Sequence, residues 1–199
     1  MMKRLFSLFA FIVVGVLCAF AQESFPVVLE REMKSEILGT AKKYCIYLPA
    51  GYGDEGKEFP VLYLLHGLTD THTAWRDKGN VQAIATDIFE SGKAQEMVIV
   101  MPDAGTTFDG YFNVPGWRYE DFFFQEFIPH IEKEYRVIAD KGHRAIAGLS
   151  MGGFHTMHTA ALLNQSFDYV GIFSALYVPY MSERRAERTW VISDLARSD

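Results

Sequence analysis

The sequence predicts an α/β protein built on a mostly parallel sheet with helices on both faces. Short apolar runs at Pro60–Leu65, Met97–Met101 and Ala145–Ala147 read as strands buried on both faces. Between them, Val81–Ser91 and Tyr119–Tyr135 carry apolar residues at helical spacing, and this alternation implies right-handed crossovers. A third observation says where chemistry can sit. Gly148-Leu149-Ser150-Met151-Gly152 fits G-x-S-x-G between the last apolar run and a helical pattern over Phe154–Leu163. Strand, sharp turn, helix is the setting in which this motif is a nucleophile elbow. The two glycines remove side chains that would crowd the turn, and the helix N-terminus beneath Ser150 favours developing negative charge.

The chain has 199 residues, 49% of them hydrophobic, enough for one domain with a real core. A net charge of −6 and the lack of a basic run in the first 180 residues argue against a nucleic-acid partner. Lys3 and Arg4, the apolar stretch Leu5–Leu17 and Ala19-Phe20-Ala21 read as a signal peptide over residues 1–21, with Gln22 as the mature start. That stretch is short of the roughly 20 residues of a membrane span, so export to the periplasm or beyond is expected, without stable membrane insertion after cleavage. Cys18 follows the bulky Leu17, which argues against lipidation. Cys45 is then the single mature cysteine and forms no internal disulfide. It lies in an alternating run and reads as core.

From residue 22 the elements follow in order. Phe25–Glu30 and Ser35–Leu38 read as short strands, and Ala41–Leu48 alternates as a half-buried strand antiparallel to its neighbours. Pro49–Gly56 is a loop of turn formers. Pro60–Leu65 ends in His66-Gly67-Leu68-Thr69-Asp70, and Gly92 closes the helix over Val81–Ser91. Gly105–Gly116 is a loop holding Phe108, Tyr111 and Phe112. Pro129 interrupts Tyr119–Tyr135, so a kink is expected there. Tyr169–Phe173 is the strand after the elbow helix.

With these blocks in place the chain resembles the esterase D family of α/β-hydrolases, which includes feruloyl and acetyl-xylan esterases, S-formylglutathione hydrolases and mycolyltransferases. The resemblance runs from about Tyr44 to Ser174. It rests on Tyr47-Leu48-Pro49, Val61-Leu62-Tyr63-Leu64-Leu65-His66-Gly67, Met101-Pro102-Asp103, Tyr119-Glu120-Asp121-Phe122, the run from His143 to Gly153, and Phe167-Asp168-Tyr169. It implies an α/β-hydrolase fold and ester hydrolysis through an acyl-enzyme on Ser150, with no metal or organic cofactor. The backbone N–H groups of Leu68 and Met151 match the oxyanion hole. His66, before Gly67, reads as a loop-shaping residue rather than a general base.

The rest of the triad is not found. In this fold the order is Ser, then Asp or Glu, then His. After Ser150 the only histidines are His155 and His158, both on the elbow helix, which carries them away from the serine at about 1.5 Å per residue. They read as packing residues; half a metal site without a third ligand is the other reading. His72, His130 and His143 precede the serine without an assignable role. Thr189–Asp194 looks like a short strand that would present Asp194 as the acid, but no histidine follows it. Such a domain usually runs to roughly 200–250 residues. An Arg-rich stretch over residues 183–188 differs from the Lys-rich body, so the domain over 22–199 is expected to be incomplete at its C-terminal end.

Three functions follow. The first is a carbohydrate-side-chain esterase acting on feruloyl or acetyl esters of plant polysaccharide, with Trp75, Trp117, Tyr111 and Phe108 either stacking on substrate or serving as loop anchors. The second is acyl transfer of the mycolyltransferase type. The third is a hydrolase-fold fragment without activity.

Overall fold

The computed structural model describes residues 25–107, 109–162 and 166–175. The segment read as a signal peptide over 1–21, Phe108, the Arg-rich stretch over 183–188 and the expected strand ending at Asp194 lie outside the described residues. Among the described residues a six-stranded sheet runs in the order β1-β2-β4-β3-β7-β8. Its strands are β1 (Val27–Ser35), β2 (Thr40–Leu48), β3 (Val61–Leu65), β4 (Val98–Pro102), β7 (Arg144–Leu149) and β8 (Tyr169–Phe173). β1, β2 and β4 pair antiparallel, whereas β4, β3, β7 and β8 are parallel. A small hairpin, β5 (Asn113–Val114) with β6 (Trp117–Arg118), forms within the loop expected over 105–116. The predicted α/β class with a mostly parallel sheet is the class observed.

The helices are α1 (Ala74–Asp77), α2 (Val81–Glu90), α3 (Tyr119–Phe122), α4 (Ile128–Glu134) and α5 (Met151–Leu162). Strand alternation divides the core into two layers. Tyr44, Ile46, Tyr63, Leu65 and Val100 face the aromatic cluster of Phe122, Phe123 and Phe127. Cys45, Tyr47, Leu64, Ile99 and Met101 face Val81 and Ala85 of α2. The apolar runs were continuous because both faces of these strands are covered.

Three local expectations change. Ser35–Leu38 is not a strand: β1 ends at Ser35 and residues 36–39 turn into β2. Glu126 replaces strand pairing there, accepting from the Ser35 hydroxyl at 2.5 Å and from the Glu36 and Ile37 amides at 3.1 Å. β2 is half-buried only at its start, since Tyr44 to Leu48 are all buried between β1 and β4. The interruption near Pro129 takes the form of a π-helical turn over Phe123–Phe127, in which the Ile128 amide bonds back to the Phe123 carbonyl. Pro129 has no N–H for the Gln125 carbonyl, and the wider turn absorbs that missing bond.

Candidate active site

β7 delivers the chain to Ser150 at its carboxyl end, and α5 begins at the next residue. Ser150 is exposed and has φ of +54°, a left-handed conformation that costs a non-glycine residue about 1–3 kcal/mol. Two hydrogen bonds hold it there. Its amide donates to the Phe173 carbonyl of β8 at 2.9 Å, and its carbonyl accepts from Phe154 in α5 at 2.9 Å. The motif glycines permit close approach. A Cβ on Gly148 would fall on the Gly152 carbonyl group, and one on Gly152 would stand 2.7 Å from the carbonyl oxygens of Leu65 and His66. The second approach seats the start of α5 against the end of β3.

β3 and β7 are adjacent and parallel, with Leu65 opposite Gly148, so the loop after β3 lies beside the elbow. A Cβ on Gly67 would be 3.7 Å from the Ser150 Cβ. Among the described residues no acceptor takes the N–H of Leu68 or of Met151. Both amides are therefore available near Ser150, and the positive end of α5 adds to their field.

His66 is buried and both ring nitrogens are engaged. Nδ1 donates to the Gly67 carbonyl at 2.8 Å, and Nε2 accepts from the Ala104 amide at 3.2 Å. Burial lowers its pKa and keeps the imidazole neutral. A ring with its proton on Gly67 and its lone pair on Ala104 cannot serve as base for Ser150. Asp103 follows β4, with Oδ2 3.0 Å from the buried Lys42 ammonium and Oδ1 accepting from the Gly105 amide. Burial pushes this carboxyl up, but Lys42 outweighs it and holds the group below the usual carboxylate range. The sequence signalled these positions through His66-Gly67 and Met101-Pro102-Asp103, but nothing in it paired Asp103 with Lys42, 61 residues away.

The other five histidines have partners elsewhere. His155 stacks on Tyr111 with ring centroids 5.4 Å apart, and His158 Nε2 lies 2.9 Å from Glu120 Oε1. His72 Nε2 meets Glu30 Oε1 at 3.1 Å, His130 meets the Tyr44 hydroxyl at 3.2 Å, and His143 meets Asp140 at 2.8 Å. All six histidines of the chain lie among the described residues, and none hydrogen-bonds Ser150 there. Glu30, Cys45 and His72 bring possible metal-ligand atoms within 4.8 Å of one another. The Arg76 guanidinium already supplies positive charge to that cluster, 3.3 Å from Glu30 Oε2 and 3.7 Å from Cys45 Sγ.

A cleft of about 210 Å³ adjoins the elbow between Gly67 and Leu149, walled by Trp75 and rimmed by Asp70 and Lys78. The Trp75 indole N–H donates to the Leu65 carbonyl at 3.1 Å, which fixes the ring as that wall. Tyr111 is fully buried and cannot meet substrate. Trp117 donates to the Gly110 carbonyl at 2.8 Å and carries the Lys42 ammonium over its ring, which makes it a loop anchor.

A parallel sheet, a strained serine between strand and helix, and two amides beside it define the α/β-hydrolase esterase class. The chain matches the Esterase family model over residues 35–195, and it belongs to that family of carboxylic-ester hydrolases. It is 36% identical over 154 residues to an endo-1,4-beta-xylanase/feruloyl esterase of Xylanibacter ruminicola, a match covering 73% of this chain and 21% of that protein. A solved ferulic acid esterase superimposes with a TM-score of 0.69 at 42% identity, covering 71% of this chain and 55% of the other. The ferulic acid esterase of Anaeromyces mucronatus, solved with ferulic acid, gives 0.68 at 28% identity over 79% of this chain and 61% of its own. The chain thus spans less than two thirds of each of these relatives. No helix among the described residues is long and apolar enough to cross a membrane.

Proposed function

We propose that the protein is an exported serine esterase that forms an acyl-enzyme on Ser150, acting on feruloyl or related esters of plant polysaccharide. The observation that carries the mechanism is Ser150 itself, exposed in a left-handed turn 3.7 Å from where Gly67 would carry a side chain. Attack of Oγ on an ester carbonyl forms a bond to carbon and places negative charge on the carbonyl oxygen. The Leu68 and Met151 amides stabilise that charge, an effect worth about 10²–10³ in rate per donor. Collapse expels the alcohol and leaves the acyl group on Ser150; water then releases the acid. The kinship with feruloyl esterases supports the acyl group, and the Trp75 wall of the adjoining cleft suits a flat aromatic ring.

The base that takes the Ser150 proton is assigned to none of the six histidines, each of which is committed elsewhere. The test is intact-mass and peptide mapping after exposure to p-nitrophenyl ferulate. A feruloyl adduct on Ser150, absent in Ser150→Ala, is the expected result; an adduct elsewhere, or none, overturns the reading.

A further inference from the structure

We propose that His66 is a positioning residue that aims the Leu68 N–H at the space above Ser150, and that the Tyr111 hydroxyl and the Ala104 amide hold His66 for this task. The inference rests on Ser150 being the nucleophile.

In a trans peptide unit the carbonyl and the following N–H point to opposite sides. The His66 Nδ1–H draws the Gly67 carbonyl to the buried ring at 2.8 Å. The N–H of Leu68, in the same plane, is thereby turned away from the ring and outward. Leu68 is 41% exposed, and its amide has no acceptor among the described residues. The loop would not keep this orientation on local preference alone. Asp70 donates back to the Gly67 carbonyl at 3.3 Å, closing a turn in which Thr69 has φ of +69°. A β-branched residue in the left-handed region is a strained choice. The bond from His66 restrains the peptide that this strain would otherwise release.

His66 is in turn fixed at three points. Its amide donates to the Tyr111 hydroxyl at 2.8 Å, and that hydroxyl donates to the His66 carbonyl at 3.4 Å. One buried side chain thus occupies both main-chain groups of His66. The ring accepts from Ala104, whose neighbour Asp103 is anchored to β2 by the ion pair with Lys42. Tyr111 is itself wedged between His155 and Tyr119, with ring centroids 5.4 and 5.5 Å away. The direction of one amide without an acceptor among the described residues is therefore set by residues drawn from β2, the segments just after β3 and β4, and the loop before β5.

The experiment compares His66→Leu, His66→Asn and Tyr111→Phe in the full chain. The Asn side chain can place an N–H where Nδ1 stands and so can still donate to Gly67. Two readings are taken: the amide resonances of Leu68 and Met151, and fluorophosphonate labelling resolved into a maximal rate and a half-saturating concentration. In His66→Leu the Leu68 resonance is expected to move while Met151 stays, and the maximal labelling rate to fall about 10²-fold with half-saturation unchanged. His66→Asn should restore most of both. Tyr111→Phe, the milder change, should shift Leu68 in the same sense and slow labelling about fivefold. If Leu68 stays in place in His66→Leu, or if Asn and Leu slow labelling equally, His66 merely fills space and the proposal falls. If His66→Leu does not fold, Tyr111→Phe decides by the same two readings. Labelling that never reaches Ser150 overturns the serine reading instead, and the Leu68 resonance still judges the peptide.

Discussion

The Ser150 amide donates to the Phe173 carbonyl at 2.9 Å, so the turn bearing the hydroxyl hangs from strand β8 as well as from its own strand. Gly153 sits where β8, β7 and α5 converge. A Cβ there would lie 2.8 Å from the Gly148 carbonyl oxygen and 3.0 Å from that of Phe173. Gly153→Ala should therefore push β8 off the elbow. The expected outcome is a loss of about 1–3 kcal/mol by denaturant unfolding, with slower labelling of Ser150.

Gly67 and Gly148 separate crowding of the site from damage to the fold. On Gly67 a Cβ meets only ordinary contacts at 3.6–3.9 Å, one of them Ser150 Cβ. Gly67→Ala should leave stability within about 0.5 kcal/mol yet slow the acylation of Ser150. Gly148→Ala places its methyl on the Gly152 backbone and should cost at least as much as Gly153→Ala. Melting curves and labelling rates measured side by side check both; equal loss of stability would refute the distinction.

The Lys42–Asp103 pair makes a prediction about acid. The Asp103 pKa is lowered in the folded protein, so its stabilisation is present above the unfolded carboxylate value and is lost as pH falls through the lower folded value. Melting temperature should thus drop below about pH 4. Asp103→Asn leaves Lys42 buried without its anion and should cost about 3 kcal/mol at pH 7, the low end for a buried pair because Asp103 is 22% exposed. The variant should also show a shallower loss in acid.

His66 adds a second acid response at higher pH. Burial holds its folded pKa below the ordinary imidazole value, so the unfolded chain binds a proton that the folded one refuses. Stability should begin to decline as pH falls through about 6.5. Imidazole resonances of His66 should be those of the neutral Nδ1–H form at neutral pH and change only on the acid side of the ordinary imidazole range.

Cys45 is fully buried, and burial pushes its thiol up to about 11. Only the thiolate is a good nucleophile. Reaction of Cys45 with a disulfide reagent at pH 8 should be undetectable in the native protein and become stoichiometric in denaturant. Rapid native reaction would show that the β1–β2 sheet opens locally.

The 199-residue chain should label at Ser150 but turn over aryl acetates slowly. All six histidines are committed elsewhere, and a serine without its base retains only the roughly 10³–10⁴-fold advantage of binding and the oxyanion hole. Steady-state turnover at the rate of an esterase with a complete triad, and lost in Ser150→Ala, would show that one of these histidines swings to the serine.

Strands β3, β4 and β7 were legible because they are largely covered on both faces and leave unbroken apolar runs. Tyr169–Phe173 was read at the bounds the structure shows. The elbow was legible because its spacing and its flanking elements agree. What escaped depends on distant partners. Ser35–Leu38 alternates like a strand, but Glu126 supplies the turn from 91 residues away. Tyr111 could be read either as a substrate contact or as a loop anchor, and its hydroxyl belongs to the His66 backbone. The Thr69 conformation had no sequence signal, since its residue type is the opposite of what a left-handed position favours.

The Glu126 clamp orders events during synthesis. The β1–β2 hairpin is local and leaves the ribosome well before residue 126 is made. Its turn nevertheless lacks a partner for the Ser35, Glu36 and Ile37 donors until residue 126 has been made. β2 also waits for β4 to cover its other edge. The amino-terminal quarter of the domain can therefore form early but locks late, together with the π-helical turn that supplies its carboxylate. A ribosome paused between the two would hold a hairpin with apolar side chains bare on both faces, the state a nascent-chain chaperone is built to shield.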